Sequence, residues 1–242
     1  MIDVLLEMLQ DESDAVESKA SLFILDLILQ APKLGSLLEF KKHYYHSKLI
    51  QQLEILANDV SFFKRCDAVH TLGRTGSKSS LSKLKEIFNE SKEKDPLFLG
   101  DLAFEINWLS GGNNLSWYKS NLLNLDSFLS RWACLDVFKN ISVEPVDKDW
   151  KLKYDIILQF CGDSNIKVST EALFLKDEME FISSLDKMGN KTEKRQQRKE
   201  LEKRRPLCFE EIKVKFISNM HNANKSVYTI DELHEFVKKN DS

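Results

Sequence analysis

Helix breakers are scarce in this chain. It holds 8 glycines and 4 prolines in 242 residues, about 5% where average usage is about 12%. Turn-rich β-sandwiches, propellers and collagen-like or low-complexity chains are excluded on that ground. No GxGxxG or GxxxxGK[ST] loop occurs either, so no Gly-rich phosphate cradle is available. What remains is an all-α protein, long enough for one large domain or two small ones.

The prolines fall where such a protein must interrupt its helices. Pro32, Pro96, Pro145 and Pro206 each lie between apolar-periodic segments, since a helix-interior proline costs about 3 kcal/mol. Asp95-Pro96 reads as an N-cap followed by the first helical position. Asp14-Ala-Val-Glu17 and Thr229-Ile-Asp-Glu232 read as capping boxes, the former opening a helix to about Gln30. Phe128, Trp132, Leu135 and Phe138 form one stripe of helical period, and Trp150, Tyr154, Ile157 and Cys161 a second. Phe209, Ile212, Phe216 and Met220 form a third. Trp132 and Trp150 are therefore expected in the core.

The middle of the chain repeats. The segment 61–72 aligns with 127–138 at an offset of 66, with 97–109 between them and 165–174 after them. The first three are each followed by a second apolar helix, near 78–90, 113–124 and 147–161. Acidic starts at Asp59, Asp95, Asp126 and Asp163 are 36, 31 and 37 residues apart. A helix-pair unit of that length is the mark of an α-solenoid. Asp59-Val-Ser-Phe-Phe-Lys-Arg-Cys-Asp-Ala-Val-His-Thr-Leu-Gly-Arg-Thr-Gly76 resembles the first helix of a HEAT repeat, with its opening Asp, mid-helix basic and small residues, and closing Leu72-Gly73. Leu109-Ser-Gly-Gly112 keeps that ending, whereas Lys139-Asn140 does not. The resemblance, over about 59–185, implies a right-handed HEAT-like or armadillo-like solenoid. The expected organisation is a helical-repeat domain over 1–185, a basic exposed helix or linker over 186–205, and C-terminal helices over 206–242 that pack on the solenoid end.

Charge is unevenly spread. Residues 187–205 carry nine bases against three acids, a local charge of +6, so the remainder of the −3 chain carries −9. Lys191, Lys194, Arg195, Arg198, Lys199, Arg204 and Arg205 are the core of this basic strip. It lacks interleaved aromatics, which weighs against stacking on single strands. The start, Met1-Ile-Asp-Val, has no basic n-region, and the most apolar stretch, 22–29, is far short of the ~20 residues a membrane span requires. Cys66, Cys134, Cys161 and Cys208 form no CxxC pair and read as buried free thiols. A cytoplasmic protein without membrane contact is expected.

Chemistry is hard to assemble from the remaining motifs. His43 and His46 stand at i,i+3, but no third ligand is placed, so no metal and no cofactor is expected. Catalytic residues are likewise not expected: the five histidines are scattered and GxSxG is absent. Asp101, Phe104 and Trp108 share a face away from the stripe of Leu102, Ala103, Ile106 and Leu109, and Trp117-Tyr118 follows a Gly-Gly-Asn-Asn turn. With Arg131, these are the candidate partner-binding residues, because Trp and Tyr dominate interface hot spots. The reading is a non-enzymatic protein that binds a partner protein, of the kind of an immunity or antitoxin-type inhibitor. The alternative is a nucleic-acid-binding protein or HEAT-like DNA glycosylase, in which Trp108, Asp101 and Arg131 would form the site.

Overall fold

A computed structural model describes residues 2–13, 15–16, 18–23, 44–75, 78–111, 114–141, 148–185 and 190–240. Among the described residues every regular element is a helix. In order these are α1 (Ile2–Met8), α2 (Tyr44–Leu56), α3 (Phe62–Thr75), α4 (Lys78–Ser91), α5 (Pro96–Leu109) and α6 (Leu115–Leu122). Then follow α7 (Phe128–Asn140), α8 (Lys148–Phe160), α9 (Ile166–Ser184), α10 (Lys191–Glu202), α11 (Phe209–Asn222) and α12 (Ile230–Lys239). Residues 18–23 are also helical, while Asp14, Glu17 and the stretch to Gln30 lie outside or at the edge of what is described.

The chain divides into two compact units, Met1–Gly112 with Ser218–Ser242, and Asn113–Ile217. The sequence placed its boundaries at 185 and 205; the division falls instead near Gly112 and inside α11. In the first unit α3 packs on α5, flanked by α2 and α4. Leu53, Phe62, Leu72, Phe88, Phe98 and Ile106 are at or near zero exposure there. The C-terminal segment belongs to this core. The Phe62 amide donates to the Ser226 carbonyl at 2.6 Å, Tyr228 meets the Phe62 ring edge-on, and the Tyr228 hydroxyl donates to Asp95 Oδ1. Asp95 occupies the N-cap position before Pro96 but its side chain makes no cap bond; it is drawn to Tyr228 and Arg65 instead. The Thr229–Glu232 capping box forms as expected.

In the second unit α7 packs on α9, α6 on α8, α8 on α9, and α10 on α9. α7 is buried almost all round, from Leu129 through Phe138 except Arg131, so the stripe read from its sequence understates it. Trp132 is fully buried. On α8 the expected stripe is rotated. Trp150 and Tyr154 stack on each other, half-buried, and the buried positions are Lys153, Ile156, Ile157 and Phe160. The cause is Lys153, whose Nζ donates to the Ile141 carbonyl at 2.8 Å and the Lys139 carbonyl at 3.3 Å. It closes the C-terminal end of α7, where a cation is favoured, and burial pushes its ammonium down to about 8.

The cysteines are free, but only Cys134 and Cys208 are buried; Cys66 and Cys161 are half-buried.

Candidate binding surface

The first unit carries an aromatic and cationic patch on α3 and α5. Phe104 and Trp108 stand one turn apart on α5 and are 50% and 57% exposed. Arg74, from α3, lays its guanidinium over both, 4.0 Å from the Trp108 ring and 5.5 Å from the Phe104 ring. Stacking of this kind holds an arginine in place over the aromatic faces, and the Arg74 side chain keeps 19% exposure.

Behind the patch lies Glu105, only 2% exposed. Its Oε1 is 2.7 Å from His70 Nδ1, and its Oε2 is 3.8 Å from Arg74 Nε. Oε2 has no hydrogen-bond partner among the described residues. The hydrogen bond to Glu105 holds the half-exposed His70 imidazolium above its usual range, against a smaller opposing effect of burial. The stabilisation from this pair is therefore complete below about pH 6.5 and is lost as pH rises through the elevated folded value.

Gly73 makes the arrangement possible. It does not end α3, which runs on to Thr75. A Cβ at this position would overlap the Glu105 carboxylate and stand 2.8 Å from the Glu105 Cβ. An exposed helical Gly→Ala change gains about 1 kcal/mol; here overpacking against a buried carboxylate reverses the sign. Gly73→Ala is expected to destabilise the protein by about 1–3 kcal/mol. In a urea-unfolding double-mutant cycle with Glu105→Ala, the coupling should reach at least about 1 kcal/mol. Additive effects would show that the two groups do not compete for the same space.

The remaining sequence candidates fare differently. Asp101 is half-buried and accepts a 3.4 Å contact from the Cys66 thiol. Trp117, half-buried, meets Tyr118 edge-on at 5.1 Å in the second unit. Tyr118 is fully buried, and burial raises its phenol, so it is a core residue and not a surface contact. Arg131 is also corrected to a structural role. Its Nε and Nη2 hold Asp163 at 2.6 and 3.2 Å, and Nη1 donates to the Leu125 and Asp126 carbonyls at 2.9 and 2.7 Å. The proposed glycosylase set of Trp108, Asp101 and Arg131 thus loses its arginine to Asp163. Arg74, His70 and Glu105, which complete the patch, were missed in sequence. The i,i+4 spacing of His70 and Arg74, on the helix that packs against that of Asp101 and Trp108, was the available signal.

A second cluster of titratable groups lies inside the second unit. Glu171 Oε2 accepts from Trp132 Nε1 at 2.5 Å and from the Phe209 amide at 3.1 Å. Burial, reinforced by Asp136, pushes the Glu171 carboxyl up to about 8, and burial pushes Asp136 up to about 7. These groups are enclosed and tie helices together.

The basic strip forms α10, exposed along nearly its whole length. Just past its end Arg204 pairs with Asp177, and Arg205 with Glu211. His43 and the side chain of His46 lie outside the described residues. Among the described residues no group of three potential ligands could hold a metal ion, and no helix is long and apolar enough to cross a membrane. No family model, curated protein or solved structure matches the chain.

Proposed function

We propose that the chain is a non-enzymatic, HEAT-like helical-repeat protein that binds a partner protein through the Phe104–Trp108–Arg74 patch. The observation that carries this reading is Trp108, the most exposed tryptophan among the described residues, held under a stacked arginine. Trp and Arg are among the residues most enriched at interface hot spots, and here they stand together with Phe104 in one patch.

The repeat reading rests on two arginines. Arg65 and Arg131, 66 residues apart, make corresponding bonds, through Nη2 alone to the aspartate for Arg65 and through Nε and Nη2 for Arg131. Each donates Nη1 to two carbonyls just before its own helix, and each pairs with the aspartate opening the next unit, Asp95 or Asp163. Asp59 and Asp163 each also accept from the amide two residues on, at 2.8 Å. The packing of α3 on α5 and of α7 on α9 follows the same alternation. The acidic charge of the body outside the strip favours an inhibitor-type role toward a basic partner by charge steering.

The test is photo-crosslinking of the full chain from a benzoylphenylalanine placed at position 104, in lysate of the native cell. One discrete adduct is expected, and Trp108→Ala should weaken binding of the identified partner by about 30-fold or more. Absence of any adduct, or an affinity indifferent to Trp108→Ala, would sink the reading.

A further inference from the structure

α10 is bare on one side and engaged on the other. Asn190 caps it by accepting from the Glu193 amide. Glu193, Gln196, Gln197, Glu200, Leu201 and Arg204 face a groove shared with Asp177, Glu180 and Phe181 of α9. Leu201 is the buried residue of the helix. The opposite side presents Lys191, Arg195, Arg198 and Lys199 at i, i+4, i+7 and i+8, all exposed, with Lys194 on its flank. Among the described residues no ion pair forms at Lys191, Lys194, Arg195 or Lys199. Arg198 reaches only the exposed Glu202, at 4.0 Å. Glu193 and Glu200 stand on the groove side, and Glu202 is the one acid among the bases of the outer face, which keeps a strong excess of positive charge.

We propose that this outer face of α10 is a contact surface for the phosphate backbone of double-stranded nucleic acid. The chemistry of the face selects among polyanions. A protein interface has an apolar, aromatic-rich centre depleted in lysine, and this face has no apolar residue. An interfacial membrane helix buries an apolar side, which is again missing. Single strands are held by stacking on aromatics, and none is present on α10. Phosphate contacts need only lysine and arginine. The stretch from Lys191 to Lys199 spans about 12 Å of helix. The same length of duplex axis carries about seven phosphates, enough to engage each of the five bases. The charge of −9 on the rest of the chain repels a duplex and confines the contact to this helix. Binding is therefore sequence-independent, weak at physiological salt and steeply salt-dependent. It goes beyond the protein-binding reading and uses no residue of the Trp108 patch, so either can fail alone.

Fluorescence anisotropy of a labelled 20-base-pair DNA duplex of arbitrary sequence, titrated with the full chain from 25 to 200 mM NaCl, tests the assignment. The expected slope of log affinity against log salt is about −4. Replacing Lys191, Arg195, Arg198 and Lys199 together by alanine should weaken binding by at least about tenfold at 50 mM and flatten the slope by about 3. Alanine is the strongest helix former, so α10 persists, and circular dichroism checks it. A second variant, Arg195→Glu with Lys199→Glu, should abolish binding at 50 mM. No binding at 25 mM, unchanged affinity and slope in both variants, or tighter binding to phosphatidylserine vesicles than to the duplex would each overturn the proposal.

Discussion

Glu171→Ala should lower the unfolding free energy by about 3 kcal/mol, a large fraction of the roughly 5–15 kcal/mol of a domain this size. Glu171, on α9, is the shared acceptor for the indole of Trp132 on α7 and for the first amide of α11. Truncation strands both donors in a dry core, at about 1–3 kcal/mol each, and opens a cavity. Relief of a poorly solvated carboxyl offsets part of the loss. Glu171→Gln should behave in the opposite sense at high pH. The folded values of Glu171 and Asp136 are raised to about 8 and about 7, above the ordinary carboxylate range. The folded protein therefore keeps protons that the unfolded chain releases. The stabilisation this brings is complete below about pH 4 and is lost as pH rises through 7 and 8. Glutamine keeps an acceptor oxygen for Trp132 and Phe209 but has no proton to lose. Its stability should fall less steeply from pH 5 to 8 and exceed that of the parent at pH 9. Urea unfolding followed by tryptophan fluorescence reads both effects; identical pH slopes for parent and Glu171→Gln would refute the account.

How far the sequence could be read follows from which interactions have a period. Helix content, the Thr229–Glu232 box and the α11 stripe of Phe209, Ile212, Phe216 and Met220 were legible, because each is a local pattern. The rotation of α8 was not. It is set by Lys153, a residue that pattern reasoning assigns to solvent and that is buried only because α7 ends in carbonyls within its reach. Tyr118 was misread for the converse reason: a turn before it suggests a surface, yet α6 is short and buries Leu115, Tyr118 and Leu122. Gly73 shows a third limit. A glycine after leucine near the expected end of a helix reads as a stop, and only the carboxylate on the neighbouring helix reveals that it is there for space. Phe104 and Trp108 were found as a face off the apolar stripe. The i,i+4 pair of His70 and Arg74 was countable, but that its helix packs on α5 over the buried Glu105 is long-range packing, which leaves no spacing to count.

Arg131→Ala should cost about 3 kcal/mol, near the lower end for breaking a buried pair, because the arginine side chain keeps 19% exposure and its partner Asp163 only 7%. The loss is compound. Asp163 is left enclosed with its charge, and the Leu125 and Asp126 carbonyls lose their donor. Arg131→Lys should recover less than half, since a single ammonium cannot span two carboxylate oxygens and two carbonyls. The difference between parent and Arg131→Ala also has a pH signature. Partial burial would raise the Asp163 carboxyl, but the Arg131 guanidinium and the Asn165 amide together hold it below its usual range. A depressed folded value contributes stability above the unfolded value near pH 4, lost as pH falls through the folded one. The gap between the two proteins should therefore narrow in acid. Arg65 makes the corresponding bonds to the Asp59 and Val60 carbonyls and to Asp95 in its own unit, so Arg65→Ala should show a loss of similar size. An Arg65→Ala loss below about 1 kcal/mol, the scale of an ordinary surface pair, would mean that the two arginines share a geometry without sharing a role, and the proposed repeat would lose its energetic support.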